Sequence, residues 1–366
     1  MEGDGNEYCS MLEFRSDLVH SLVTVLNRDD ASSDVFLAAC GKAALAAKTS
    51  DDDAFAIIQS MMRHELVNDD AEIANDSVSL LAYISSKQLS KIADKFSAPS
   101  SGYRHKDYLR SLRHCAANQT PDQHAVDCIV VTISFGSKTD AVGTVLGRHN
   151  PEVLGQIIRK LSDRTMDTGG SYAFGVLLAN IPNNVARKQK EILSKSLQSR
   201  NVWVRTGAAI AIISAEIDVA RAEKVLHDVV NNAQEKEEIR LMALRALVSK
   251  KRLRIVSGGT VKPLIFPTGG FIRLGYCGRT MLCELMNAIA SGVDVDDEAA
   301  RAILSGLKRR DMSTCYRVLK TMLPVAPKLV ARLGHNEVKI ALKAIRDTVE
   351  SEEVRKLTID VEKAVK

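Results

Sequence analysis

The chain has 366 residues, of which 45% are hydrophobic, 26% charged and only 4% aromatic, and its formal net charge is +5. This apolar content is enough for a sizeable core and excludes a wholly disordered chain, while the abundance of Ala, Leu, Ile and Val argues against an all-β sandwich or barrel. No apolar run approaches the roughly 18 to 20 residues that a membrane span needs, so we expect no membrane span.

The first residues, Met1-Glu-Gly-Asp-Gly-Asn-Glu, are acidic and match neither a secretory signal nor an Arg-rich transit peptide. The seven cysteines are odd in number and form no CxxC pair, which fits reduced thiols better than a disulfide framework. Together these features predict an intracellular, cytoplasmic protein.

Charge is distributed unevenly along the chain. Residues 1–100 carry 8 basic and 17 acidic side chains, residues 101–249 carry 20 and 15, and residues 250–279 carry 7 and none. With the helical pattern, this predicts acidic N-terminal helical repeats over 1–100, central repeats over 101–249, a basic insertion containing Gly and Pro over 250–276, and C-terminal repeats over 277–366. We expect the repeats to form one continuous array.

Apolar residues recur at i, i+3, i+4 and i+7 over most of the chain, which is the period of an α-helix. Before the insertion this spacing predicts helices over 11–27, 33–48, 52–66, 70–84, 87–96, 104–116, 121–134, 137–148, 151–163, 168–181, 183–198, 201–214, 217–232 and 236–248. After it, helices are predicted over 277–291, 296–308, 311–324, 326–334, 336–348 and 352–364. Most loops between them are short, so sequential helices should pack antiparallel.

An internal repeat accompanies these helices. An aliphatic residue, a basic residue and an apolar stripe recur at Val204-Arg205, Ile239-Arg240, Val338-Lys339 and Val354-Arg355. The first two copies are 35 residues apart, about the length of one helical hairpin in a solenoid. Small alanines within the stripes would let successive helices approach closely, and we expect the repeated basic residues to brace adjacent loops.

At three of these stretches the chain resembles the HEAT/armadillo family of α-solenoids. The residues that carry the resemblance are Asn-Val-Trp-Val-Arg-Thr-Gly-Ala-Ala at 201–209, Glu-Glu-Ile-Arg-Leu-Met-Ala-Leu-Arg-Ala-Leu at 237–247 and His-Asn-Glu-Val-Lys-Ile-Ala-Leu-Lys-Ala-Ile at 335–345. The resemblance implies an all-α superhelical solenoid of antiparallel helix pairs, in a family where many members are scaffolds, adaptors or transport factors. A hydroxylase-like iron site in this family needs repeated His-Glu pairs, and this chain has one, His64-Glu65.

Residues 250–276 break the helical pattern. Two Gly-Gly pairs and two prolines separate three β-prone runs, near 252–256, 261–266 and 271–275, which predicts a long irregular insertion. One interpretation is a solvated loop that covers helix C-terminal ends; the other is an arm that binds a partner. In the second interpretation aromatic anchors and cations would meet an acidic surface, which could be protein or nucleic acid. The residues concerned are Lys251, Arg252, Arg254, Lys262, Phe266, Phe271, Arg273 and Tyr276.

No pattern in the sequence indicates catalysis or a cofactor. There is no Gly-x-Ser-x-Gly elbow, and Gly41-Lys42-Ala43 lacks the frame of a phosphate-binding loop. His114, Cys115, His124 and Cys128 could approach one another, but their spacing favours packing over a metal site. We therefore predict no catalytic residue, no metal, no cofactor and no small-molecule substrate.

These observations predict a non-enzymatic scaffold or adaptor subunit that binds protein partners within a larger assembly. The alternative is an RNA- or DNA-binding helical-repeat protein that uses the basic insertion. A third class is an enzyme whose site the sequence does not display.

Overall fold

The computed structural model describes residues 51–68, 77–93, 105–136, 140–265, 276–307, 321–348 and 351–365. These residues are predominantly helical, which confirms the predicted all-α class. The helices predicted over 11–27 and 33–48 lie outside the described residues, and so does the helix predicted over 311–324 as far as residue 320. The chain divides into two compact units, Met1–Ile217 and Asp218–Lys366; the four-segment division made from charge stays a prediction.

The described part of the first unit contains ten α-helices and one 3-10 turn at Leu81–Tyr83. The helices are α1 Asp51–Asn68, α2 Ser86–Ile92, α3 His105–Ala117, α4 Gln123–Ser134, α5 Asp140–His149, α6 Pro151–Ser162, α7 Thr168–Ala179, α8 Asn183–Lys188, α9 Lys190–Ser196 and α10 Val202–Ala215.

Polar side chains cap five of these ten helices, because the first N–H groups of a helix have no partner within it. Ser85 and Gln88 form a reciprocal capping box at the start of α2. Asp122, Asn150 and Asp167 accept hydrogen bonds from the first turns of α4, α6 and α7. The helix starts thus follow local chemistry that the sequence displays.

The predicted helix over 183–198 is two helices, divided at Gln189. Gln189 has a backbone φ of −103° and ψ of 20°, outside the ideal helical values. Gln189 is 8% exposed, and its Nε2 would lie only 2.7 Å from a Cβ built on Gly155 of α6. Packing against α6 therefore accompanies the break between α8 and α9.

Helices α7 and α10 approach each other closely and pack extensively on each other. A Cβ built on Gly207 would lie 2.0 Å from the carbonyl oxygen of Gly175, and one built on Gly175 would lie 2.4 Å from that of Trp203. Only glycine fits at these positions. Trp203 itself is 7% exposed, and its ring meets that of Tyr172 edge-on at a centroid distance of 4.6 Å. It therefore packs against α7 at the start of α10.

The described part of the second unit contains eight α-helices, a 3-10 turn at Leu323–Val325 and two short strands. The helices are α11 Val219–Asn231, α12 Glu237–Ser249, α13 Gly258–Ile265, α14 Tyr276–Ala290, α15 Asp297–Leu307, α16 Ala326–Leu333, α17 His335–Thr348 and α18 Glu352–Ala364. The strands are β1 Ile255–Val256 and β2 Asp294–Val295, which pair in parallel with Val256 opposite Val295.

Two hairpins of this unit are built alike. Two residues beyond the end of the first helix of each, α12 or α14, lies a residue with positive φ: Lys251 at 54° or Gly292 at 117°. The next N–H then bonds five residues back, from Arg252 to Leu247 and from Val293 to Ala288, which is the hydrogen bond of a Schellman cap. A strand and a second helix follow. α12 packs on α14 and α13 packs on α15.

The prediction of a β-prone run near 261–266 is wrong over 261–265, which belong to α13. Val261, Leu264 and Ile265 are buried, and the helix packs on α15. This packing outweighs the poor helix propensity of the Gly-Gly pair and of Pro263. The run near 252–256 contains the two-residue strand β1, and the run near 271–275 lies outside the described residues.

Candidate functional site

The predicted binding residues of the insertion differ in their exposure and in the ion pairs that they make. Lys251 is exposed at the end of α12, and Arg254 is exposed just before β1. Arg252 is half-buried and its Nη1 lies 3.2 Å from Oε1 of Glu223 on α11. Lys262 on α13 pairs with Glu298 on α15. Two of these four cations therefore make ion pairs within the second unit.

The remaining predicted anchors are not brought together by the described structure. Phe266, Phe271 and Arg273 lie outside the described residues, and so does the side chain of Tyr276, whose backbone begins α14. A single surface formed by all eight predicted residues thus stays a prediction.

Carboxylates fix the starts of α13, α14 and α15. Both carboxylate oxygens of Asp296 accept from the N–H of Gly258 at 3.1 Å, and Oδ1 also accepts from Ala299 at 2.7 Å. Asp296 thereby caps α13 and α15 together. Glu237 on α12 accepts from the N–H of Gly278 on α14 at 2.8 Å. Because a carboxylate near a helix N-terminus interacts favourably with its dipole, these contacts stabilise the junctions between hairpins.

The bracing role predicted for the repeated basic residues is confirmed at two positions. Arg205 donates from Nη1 to the carbonyl oxygens of Ser199 at 2.8 Å and Arg200 at 3.1 Å, which fixes the loop before α10. Arg240 donates from Nε to the carbonyl of Val230 at 3.0 Å, at the end of α11. Both side chains satisfy carbonyl groups that the preceding segments leave without a partner.

The first unit also contains a cleft that the sequence did not indicate. It has a volume of about 510 Å³ and is open to solvent. Its walls are the ends of α6 and α9, the loops that follow them, and the inner faces of α7 and α10. The lining residues are Leu161, Ser162, Arg164, Met166, Ser171, Phe174, Ile192, Lys195, Ser196, Gln198, Ser199, Arg200, Asn201 and Val204. We call it the cationic cleft.

Three cations and no carboxylate line this cleft. Arg164, Lys195 and Arg200 are all exposed, so their charges are available to a ligand. Two carboxylates lie close to the lining along the chain: Oδ1 of Asp163 accepts from the hydroxyl of Ser162 at 3.5 Å, and Oδ1 of Asp167 caps α7 through the N–H of Gly170 at 2.7 Å. The signal in the sequence is a local charge surplus, nine basic against three acidic residues over 159–205, which a count over the longer segment 101–249 conceals.

The candidate metal residues are packed within the helical pair α3–α4. Nε2 of His114 lies 3.2 Å from the N–H of Asp122, which donates to it. Cys115 and Cys128 are fully buried. Within the described ranges, no group of three or more His, Cys, Asp or Glu side chains is placed to hold a metal ion.

Burial raises the pKa of the Cys115 thiol to about 12, and the neighbouring Cys128 and Asp122 add to the effect. The folded protein thus holds this proton through the range in which an unfolded thiol loses it, near pH 9. The contribution to stability is complete below about pH 9 and is lost as the pH rises toward 12, at up to ~1.4 kcal/mol per pH unit.

We therefore expect iodoacetamide at pH 8 to leave Cys115 unmodified in the native protein and to modify it in urea, as measured by peptide mass spectrometry. Between pH 9 and 10.5, the free energy of unfolding should fall less steeply in Cys115→Ala than in the unsubstituted protein. Equal slopes for the two proteins would contradict the assignment.

Comparison with known proteins gives no family for this chain: no protein-family model and no curated protein matches it significantly. Among the described helices, none combines the length and the apolar character needed to cross a bilayer.

Proposed function

We propose that this chain is a non-enzymatic scaffold or adaptor subunit, built as a HEAT-like α-solenoid, that binds protein partners within a larger assembly. The observation that carries the proposal is the repetition of one hairpin design in the second unit. There, the first helices α12 and α14 pack on each other, the second helices α13 and α15 do the same, and both first helices end in the same type of cap.

This repetition supports a binding role for a physical reason. Hairpins that stack like on like bury a continuous core and present their remaining faces as an extended surface, which suits another macromolecule better than a small substrate. The carboxylate contacts of Asp296 with Gly258 and of Glu237 with Gly278 join neighbouring hairpins, so the surface would be rigid before a partner binds. A rigid surface loses less entropy on binding.

Within the insertion, Lys251 and Arg254 are the cations we expect to meet a partner. Both are exposed, and neither makes an ion pair with a described carboxylate, in contrast to Arg252 and Lys262. Exposed charges of this kind chiefly set the association rate and the choice of partner. The alternative, an RNA- or DNA-binding helical-repeat protein, draws support from the same surplus of positive charge.

The test is co-purification of tagged protein from its native source at low salt, with and without nuclease. We expect protein partners to survive nuclease and to be reduced at least threefold by the double variant Lys251→Glu/Arg254→Glu. The matched control is Arg221→Glu/Lys224→Glu, which reverses two exposed charges on α11 of the same unit.

Point variants are preferable to deletion of the insertion, because α13 contributes buried residues to the core. Loss of all partners on nuclease treatment would favour the nucleic-acid alternative. A native protein that retains no protein at all would contradict the scaffold proposal. Equal retention by the double variant and its control would leave a scaffold that binds through another surface.

A further inference from the structure

We propose that the cationic cleft binds an acidic, aliphatic-containing peptide segment of a protein partner. The inference rests on the proposed function and specifies the chemistry of one of its binding sites. It concerns residues of the first unit that lie outside the basic insertion.

The charge pattern of the cleft indicates an anionic occupant. Arg164 follows α6, Lys195 lies on α9, and Arg200 lies in the loop before α10, so three separate segments bring one cation each to the same opening. No carboxylate lines the cleft, and none of the described acidic side chains makes an ion pair with any of the three. Elsewhere in the unit, by contrast, Lys160 pairs with Asp127 and Lys188 with Glu152.

The loop that carries Arg200 is held in place before any ligand arrives. Arg205 donates to the carbonyls of Ser199 and Arg200, and Oδ1 of Asn201 accepts from the N–H groups of Trp203 at 2.9 Å and Val204 at 3.4 Å. A ligand would therefore meet a rigid rim, which reduces the entropy lost on binding.

The deeper part of the cleft is apolar. Leu161, Phe174 and Val204 belong to the core beneath the cleft, and the half-buried Met166 and Ile192 are the apolar side chains that a ligand can reach. Hydroxyl and amide groups of residues such as Ser162, Ser171 and Gln198 lie among them. Cations at the rim with aliphatic side chains below suit a chain that alternates carboxylates with Leu- or Ile-like residues, and the volume falls in the range of ordinary ligand sites.

A protein segment fits this lining better than a nucleic acid does. Single-stranded nucleic acids are held by aromatic faces on which bases stack. The sole aromatic residue in the lining is Phe174, which is 2% exposed and belongs to the core. The cleft thus offers charge for an acidic ligand but no platform for a base.

The test uses fluorescence anisotropy with a fluorescein-labelled twelve-residue peptide of repeating Leu-Glu-Glu. A peptide with Gln in place of Glu and a labelled twenty-nucleotide oligouridine serve as comparison probes. We expect Arg164→Glu/Lys195→Glu/Arg200→Glu to weaken binding of the acidic peptide at least about thirtyfold, at roughly threefold or more per charge contact. The triple Gln variant should weaken it less, and raising KCl from 50 to 300 mM should weaken binding to the native protein.

The matched control is Lys87→Glu/Arg110→Glu/Arg148→Glu, which reverses three exposed cations of the same unit away from the cleft. We expect it to change the affinity less than threefold. Equal weakening by both triple variants, or no binding of the acidic peptide to the native protein, would overturn the inference. Tighter binding of oligouridine than of the peptide, lost in the cleft variant, would overturn it in favour of nucleic acid.

Co-purification separates this inference from the broader proposal. If the cleft variant keeps every nuclease-resistant partner and the native protein fails to bind the peptide, the cleft inference is wrong while the scaffold proposal stands. If the native protein keeps no partner, the scaffold proposal is wrong, and the peptide measurement still decides whether the cleft holds an acidic segment.

Discussion

Replacing Gly207 with alanine is expected to lower the free energy of unfolding by about 2–3 kcal/mol, by the overpacking of a close helix contact. The added methyl group would lie 2.0 Å from the carbonyl oxygen of Gly175 and 2.7 Å from its carbonyl carbon. These are backbone atoms of α7, so they cannot move aside as a flexible side chain would. The helices α7 and α10 would have to separate, and their apolar contacts would loosen over several turns.

Urea unfolding followed by far-UV circular dichroism would measure this change. The control is Gly169→Ala in α7, where the nearest atoms to a new Cβ, on Asp167 and Gly136, lie at 3.5 Å, an ordinary contact distance. We expect the control to remain within about 0.5 kcal/mol of the native protein, the usual range for sites without a packing conflict. A Gly207→Ala protein as stable as the control would show that the two helices are not in close contact.

This contact also indicates how far sequence reasoning reaches. The alanines of the apolar stripe, Ala208 and Ala211, predicted close approach of helices, and the structure has the closest contact of this stretch at the neighbouring Gly207. The partner glycine, Gly175, belongs to another helix and carries no signal in its own sequence that pairs it with Gly207. The apolar period of a helix shows which of its faces is packed. Which other helix packs against that face is determined by the fold and cannot be read from the period.

Helix positions were largely predictable because their causes are local. The helix predicted over 151–163 is observed at Pro151–Ser162, where Asn150 caps the first turn and proline occupies a position that tolerates it. The helix α13 was missed, since its residues are helical through burial against α15 and not through propensity. Gly258, Gly259 and Pro263 have poor helix propensity, so the sequence pattern did not indicate a helix here.

The candidate site was less predictable than the fold, because charge density along a sequence says little about charge that remains free. Lys262 lies in the most basic stretch of the chain, yet it pairs with Glu298, 36 residues further on. The cations of the cleft come from the loop after α6, from α9 and from the loop before α10, so no short window contains them together. Their convergence depends on how those helices end and pack.

Replacing Arg240 with methionine is expected to lower the free energy of unfolding by about 2–4 kcal/mol, since two buried carbonyl groups would each lose a hydrogen bond. Arg240 is 2% exposed, and it donates from Nε to Val230 at 3.0 Å and from Nη2 to Thr260 at 3.4 Å. Methionine fills most of the same space but donates nothing. Urea unfolding would measure the loss. The Arg240→Lys variant keeps the charge but has fewer hydrogen-bond donors, so its free energy of unfolding should lie between those of the native protein and the methionine variant.

The opposite result has a definite physical meaning. Burial lowers the pKa of the Arg240 guanidinium below its usual value, although Glu237 acts against this shift, so the charged form is costly to bury. A methionine variant more stable than the native protein would mean that this cost exceeds the worth of the two hydrogen bonds. Our expectation is the reverse, because the side chain joins the end of α11 to Thr260 on α13, and both segments would lose a connection. Hydrogen exchange of the α13 amides should therefore accelerate in the methionine variant more than that of α17, which Arg240 does not contact through either bond.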